Sequence, residues 1–131
     1  MTRRGEIDHA FKASRVEDIL SVLDRNAGAG CAHAEWAAAA AATIRAKSPL
    51  SLEIALTQMG CGKTLNFNEC MTTEFRIVSR LVHGHDFYEG VRALIIDKDN
   101  AARWQPPTLA DVTQADVDRH FAPLTHELEL P

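Results

Sequence analysis

An all-α chain is what this sequence predicts, on three observations. Apolar residues recur at three- and four-residue intervals over most of the length, the spacing that lines one face of a helix. Capping residues stand just ahead of several of these stretches, where a helix start needs them. No alternating apolar–polar run of useful length occurs, apart from a short ambiguous one at Ala93 to Ile96. About six helices are expected, in one domain over 1–131. N-terminal helices fall in 1–26, a helix pair in 33–59, two packed helices in 66–98, and a Pro-containing tail with a short helix in 99–131.

Each element has its own justification. Ser14-Arg15-Val16-Glu17 reads as a capping box, the hydroxyl taking a free N–H while Glu17 reaches back. Val16, Ile19, Leu20 and Leu23 follow at helical spacing, and Ala27-Gly28-Ala29-Gly30 ends that helix as a flexible link. Alanine, the best helix former, dominates Ala34 to Ala46. Small side chains all round predict a packed helix there rather than an exposed one. Ser48-Pro49 opens the next helix, with Ser as cap and Pro in the first turn, where a missing donor costs nothing. Leu52, Ala55, Leu56 and Met59 form its stripe, and Gly60-Cys61-Gly62 stops it.

A long helix is expected from about Asn66 to Val82, with Phe67, Cys70, Met71, Phe75, Val78 and Val82 on one face and Gly84 as its C-terminal cap. Asp86-Phe87-Tyr88-Glu89 reads as a second capping box, launching a helix that carries Val91, Leu94 and Ile95 inward. Trp104-Gln105-Pro106-Pro107 cannot be helical, because successive prolines remove donors and push the preceding residue to extended geometry. Thr113-Gln114-Ala115-Asp116 then caps a short last helix through Phe121.

Composition narrows the function classes. With 131 residues, 46% hydrophobic and 24% charged, the chain suits one domain and can bury a real core without metal or disulfide staples. Lys plus Arg number 14 against 18 Asp plus Glu, for a net charge of -4, which speaks against a nucleic-acid binder. The longest uncharged apolar run, Trp36 to Ile44, is far short of the ~20 residues that span a bilayer. Neither a secretory signal nor an acid-poor transit peptide is expected from a start carrying Arg3, Arg4, Glu6 and Asp8. Cys31, Cys61 and Cys70 are odd in number and lack metal-type spacing, so they read as buried free thiols in a reducing cytoplasm.

The local constellations favour no catalytic set. Gly62-Lys63-Thr64 looks like the end of a phosphate-binding loop, but Thr57 stands where the first glycine should, and a helix precedes it rather than a strand. A helix end followed by a turn accounts for it. His83-Gly84-His85-Asp86 contains metal-ligand types without a complementary cluster elsewhere; Asp86 is better used as a cap, and His85 as a local hydrogen-bonder at the turn. Cys31-Ala32-His33 places a thiol near an imidazole by sequence only. No Gly-x-Ser-x-Gly elbow exists, and Glu89 is explained by its capping box. No catalytic and no metal-binding residue is therefore assigned.

One series of motifs goes further. The run from Gly84 through His85-Asp86-Phe87-Tyr88-Glu89-Gly90-Val91-Arg92-Ala93-Leu94-Ile95-Ile96-Asp97-Lys98-Asp99 closely resembles the C-terminal signature of 3-hydroxyisobutyryl-CoA hydrolases, of the crotonase (enoyl-CoA hydratase/isomerase) superfamily. Ser48-Pro49-Leu50-Ser51-Leu52, Glu74-Phe75-Arg76, Trp104-Gln105-Pro106 and Val112-Thr113-Gln114-Ala115-Asp116-Val117 resemble further segments of that family in the same order. The likeness covers about Ile7 to the terminus. Gly60-Cys61-Gly62 and the extra length before Glu69 depart from the pattern in the loop ahead of the long helix.

The resemblance implies an all-α, helical C-terminal module of the crotonase-like fold. The ββα core, with its oxyanion hole and catalytic acids, would lie N-terminal to the matched segment. It implies hydrolysis of a 3-hydroxyacyl-CoA thioester in valine breakdown for the whole enzyme, with no metal or redox cofactor, and inactivity for these helices alone. Lys98 is the implied CoA contact, a cation facing an anionic nucleotide. The implied partners are the crotonase core or a second copy, because helices that cover a core present a broad apolar face without it. Two other readings are a stand-alone helical interaction module and part of an enoyl-CoA hydratase or isomerase.

Overall fold

The computed structural model describes residues 3–30 and 32–130, and every described regular element is helical. Among the described residues seven α-helices succeed one another: α1 (Arg3–Ala10), α2 (Val16–Gly28), α3 (Ala34–Arg45), α4 (Pro49–Cys61), α5 (Phe67–Leu81), α6 (His85–Val91) and α7 (Gln114–Phe121). A π-helical turn, Arg92–Ile96, continues α6, and a 3-10 turn, Leu109–Asp111, precedes α7. The ambiguous run at Ala93 to Ile96 thus belongs to the π turn. Two compact units form, one ending at Lys47 and the other beginning at Ser48, so the boundary falls inside the 33–59 stretch.

In the first unit α2 buries Val16, Ile19, Leu20 and Leu23, the stripe its sequence predicts. It lies along α3, which turns Ala37 and Ala41 inward. Burying each large aliphatic side chain stabilises by about 1.5–3 kcal/mol. Arg45, the last residue of α3, grips Asp24 inside α2 through two hydrogen bonds of 2.9 and 2.6 Å. Asn26 donates to Glu6 at 3.0 Å and ties α1 to α2.

Two expectations fail here. Arg15, not Ser14, stands at the cap of α2, and no side chain caps it. The helix starts one residue too late for the Ser14 hydroxyl to reach a free N–H, and Glu17 pairs with Arg15 instead at 3.2 Å. The alanines of α3 do not pack all round: Ala38, Ala39 and Ala42 are exposed, because α2 covers one face only. Beyond α2, Gly30 takes φ +61, a left-handed turn that favours glycine.

The second unit has Ile54, Ile77 and Val117 at its centre, with Leu50, Leu81, Val112 and Phe121 packed around them. Ser48 caps α4 as expected, accepting the Ser51 N–H at 3.1 Å, with Pro49 in the first turn. A reciprocal capping box starts α5: Asn66 accepts from Glu69 N at 3.0 Å and Glu69 accepts from Asn66 N at 2.8 Å. Thr113 and Asp116 form the predicted box on α7. The apolar stripes are not the predicted ones. Ile54 is 2% exposed whereas Met59 is 74% exposed, and Ile77 is 3% exposed whereas Phe67 is 74% exposed. Helix α7 settles the matter by docking between α4 and α5 on the Ile54 and Ile77 sides, which leaves Met71 and Val78 uncovered as well.

Two arginines of α5 hold the end of α7 and the segment after it. Arg76 donates through Nε to Glu127 at 2.9 Å, while Arg80 donates to the carbonyls of His120 and Pro123 at 3.3 and 3.1 Å. Glu127 also accepts the Leu124 N–H at 2.9 Å. The tail is therefore anchored at its backbone as well as its charge.

Candidate functional site

The quoted run from Gly84 to Asp99 forms one polar centre around α6. Gly84 occupies the cap position with extended geometry and offers no side chain, so α6 begins at His85. Asp86 then lies inside the first turn, too late to cap it, and its carboxylate turns elsewhere. It accepts the Ser48 hydroxyl, the Gln105 N–H at 2.8 Å, and faces His85 Nδ1 at 3.0 Å. His85 thus hydrogen-bonds locally, as expected, but the predicted Asp86–Glu89 capping box does not form. The carboxylates instead fasten the extended tail and the start of α4 to α6.

Glu89 is the second anchor. It accepts from Arg92 Nε at 3.0 Å, from Arg92 Nη2 at 2.8 Å and from the Arg103 N–H at 2.8 Å. Those charge-assisted bonds, led by Arg92, hold its carboxyl at a pKa lowered to about 2. A group so deeply committed to its ionised form cannot serve as a general base near neutrality. Gly90 lets Trp104 lie close: a Cβ built there would meet the indole Cη2 at 3.4 Å.

Arg92 reaches onward. Its Nη1 donates to Asp97 and to Asp99, each at 2.7 Å, and Nη2 donates to the Ala101 carbonyl at 3.2 Å. Asp97 N–H bonds back to the Arg92 carbonyl at 2.8 Å, the five-residue spacing of a π turn. The widened turn shifts the helical phase, so Ala93 points inward while Leu94, Ile95 and Ile96 are exposed. The expectation that Leu94 and Ile95 face inward is overturned for that reason. Lys98 lies in the exposed segment that follows, at φ +55, and Asn100 matches it at φ +53.

The remaining sequence constellations lie outside this centre. Thr64 donates its hydroxyl to the Cys61 carbonyl at 3.2 Å and Gly62 ends α4, so Gly62-Lys63-Thr64 is an exposed turn at a helix end. Cys61 is exposed and Cys70 half-buried, both with free thiols, which corrects their reading as buried; Cys70 lies two turns ahead of the buried Ile77 on the same side of α5, toward the helix start. Cys31 of Cys31-Ala32-His33 lies outside the described residues. Among the described residues no group of three His, Cys, Asp or Glu side chains is placed to hold a metal ion. An open groove of about 290 Å3 beside α5 is lined by Leu65, Asn68, Glu69, Thr72, Thr73 and Arg76, but Asn66 and Glu127 already engage Glu69 and Arg76.

Sequence reasoning missed Ser48 and Arg92 as partners of this centre. For Arg92 a signal existed in the two acids spaced about Lys98; for Ser48, 38 positions from Asp86, none did.

Comparison with known proteins gives a family profile, named relatives and a solved structure. The enoyl-CoA hydratase/isomerase family profile matches residues 1–121. The zebrafish (Danio rerio) protein named 3-hydroxyisobutyryl-CoA hydrolase, mitochondrial, is 38% identical over 118 residues, 90% of this chain and 29% of its own length. The Homo sapiens protein of that name is 36% identical over 91% of this chain and 29% of its own length. The small ribosomal subunit protein mS47 of Arabidopsis thaliana is 38% identical over 95% of this chain and 32% of its own length. A carnitinyl-CoA dehydratase crystal structure from Mycobacterium thermoresistibile superposes with a TM-score of 0.82 at 31% identity, covering 97% of this chain and 35% of that one. The chain therefore spans about a third of the length of the proteins it matches.

The hydrolase relatives are named as mitochondrial, which overturns the cytoplasmic expectation. Unpaired thiols and composition report on surroundings that more than one compartment shares, and an address segment plays no part in the fold.

Proposed function

Because this chain belongs to the enoyl-CoA hydratase/isomerase family, we propose that it is the helical C-terminal part of a CoA-thioester hydrolase of the 3-hydroxyisobutyryl-CoA type, working in valine breakdown. The observation that carries this reading is the alignment of nearly the whole chain with under a third of each mitochondrial hydrolase, in a chain whose described elements are all helices. The names of those relatives also support a mitochondrial setting.

On this reading the helices shape the acyl-CoA site and make subunit contacts, and Lys98 offers its ammonium to a CoA phosphate or adenine. The exposed Met59, Phe67, Met71 and Val78 support a role in covering another surface, either a crotonase core or a second copy. Thioester hydrolysis needs preorganised donors aimed at a developing oxyanion, and losing one costs roughly 100- to 1000-fold in rate. The centre around α6 offers its carboxylates already bonded to Ser48, Gln105, Arg92 and Arg103. The chain alone is therefore inactive. Incubating the purified protein with 3-hydroxyisobutyryl-CoA and following free-thiol release should give no saturable turnover; saturable turnover would overturn the reading.

The similarity to a ribosomal-subunit protein favours a second reading, a helical module kept for protein contacts without catalysis. Discrimination is direct: the hydrolase part should restore turnover when combined with a crotonase core that lacks these helices, whereas a pure contact module should not.

A further inference from the structure

Resting on the reading of Lys98 as a CoA contact, we infer that Arg92 is a positioning residue that holds segment 97–101 in the form presenting Lys98 to an anion. Five N–H donors are all an arginine has, and here all five are used. Two go to Glu89, two to Asp97 and Asp99, and one to the Ala101 carbonyl. The segment is also bonded to itself and to the π turn: Ala101 N–H donates to Asp99 at 2.9 Å, and Asn100 N–H to the Ala93 carbonyl at 3.1 Å. Lys98 sits between the two gripped aspartates.

Two features make the grip necessary. Lys98 and Asn100 both hold positive φ, at 55 and 53, a backbone state L residues seldom adopt and keep only where surroundings over-determine it. Neither is a glycine, so the segment would relax without its anchor. The second feature is charge. Asp97 and Asp99 flank Lys98 in sequence and would otherwise collect its ammonium; committed to Arg92, they leave Lys98 without an ion-pair partner among the described residues. Only a planar fork of donors can reach Glu89 on one side and both aspartates on the other, so a lysine cannot substitute.

The test uses the full 15N-labelled chain and CoA as the probe. Amide–Hα couplings at Lys98 and Asn100, taken with the intraresidue amide–Hα NOE that is strong only at positive φ, read the sign of φ, and a CoA titration reads the response of amides 97–101. In R92Q both couplings should lose their left-handed values, and the CoA response should weaken roughly three- to fivefold, the size of one exposed charge contact. D97N/D99N, which leaves Arg92–Glu89 in place, should lose the same left-handed couplings and guards against a folding defect in R92Q. K98Q should lose the CoA response yet keep the couplings, and R92Q/K98Q should lose no more than K98Q, a coupling that a merely structural arginine would not produce. Native couplings in both R92Q and D97N/D99N would overturn the positioning role, as would altered couplings with an unchanged CoA response. A CoA response that survives K98Q would instead remove the Lys98 reading and this inference with it, while the couplings still report whether Arg92 organises the segment.

Discussion

Ser48 stands at two junctions at once: its hydroxyl oxygen accepts the Ser51 N–H at 3.1 Å and its hydrogen goes to Asp86, 38 positions along the chain. One buried side chain thereby starts α4 and ties it to α6. S48A should cost about 1–2 kcal/mol, the value of a lost N-cap, and S48T should recover much of it. Urea unfolding of both variants measures the difference, and equal loss in the two would show that the hydroxyl is not responsible.

The choice between the two stripes of α4 is open to direct measurement. I54A removes a core side chain and should cost about 2–4 kcal/mol. M59A alters an exposed one and should change stability by no more than about 0.5 kcal/mol. Similar losses in the two variants would place Met59 against a covering surface in solution.

Acid should weaken the centre around α6 through Glu89. Its folded pKa, lowered from 4.5 to about 2 chiefly by Arg92, lies below the unfolded value. The stabilisation is therefore complete above pH 4.5 and is lost as pH falls toward 2. Arg92 keeps its charge throughout that range. Asp99, also held low by Arg92, and Glu127, held low by Arg76, lose stabilisation in the same direction. Urea midpoints taken down the acid limb should fall more gently in E89Q than in the native protein.

Gly90 tolerates one carbon and no more. A Cβ would meet Trp104 at 3.4 and 3.6 Å, ordinary contact distances, while alanine favours the helix over glycine. G90A should raise stability by up to about 1 kcal/mol. G90L should displace the indole, lowering the melting temperature and shifting the tryptophan emission toward the red.

By itself the sequence determined the helical class, the starts of α4, α5 and α7, the non-helical stretch at Trp104-Gln105-Pro106-Pro107 and the resemblance to a family. Those features rest on interactions within three or four residues, or on proline geometry, which a linear reading contains. Only the tertiary structure decided which apolar stripe is inside, because α4 and α5 each carry side chains suited to burial on more than one face and the position of α7 selects Ile54 and Ile77. It alone also decided what Asp86 and Glu89 do. Local rules offer them the free N–H groups of their own helix, but Gly84 takes the cap position, and donors from Ser48, Gln105 and Arg103 arrive from far along the chain. No short-range pattern encodes those partners; folding brings them to carboxylates that would otherwise have remained in water.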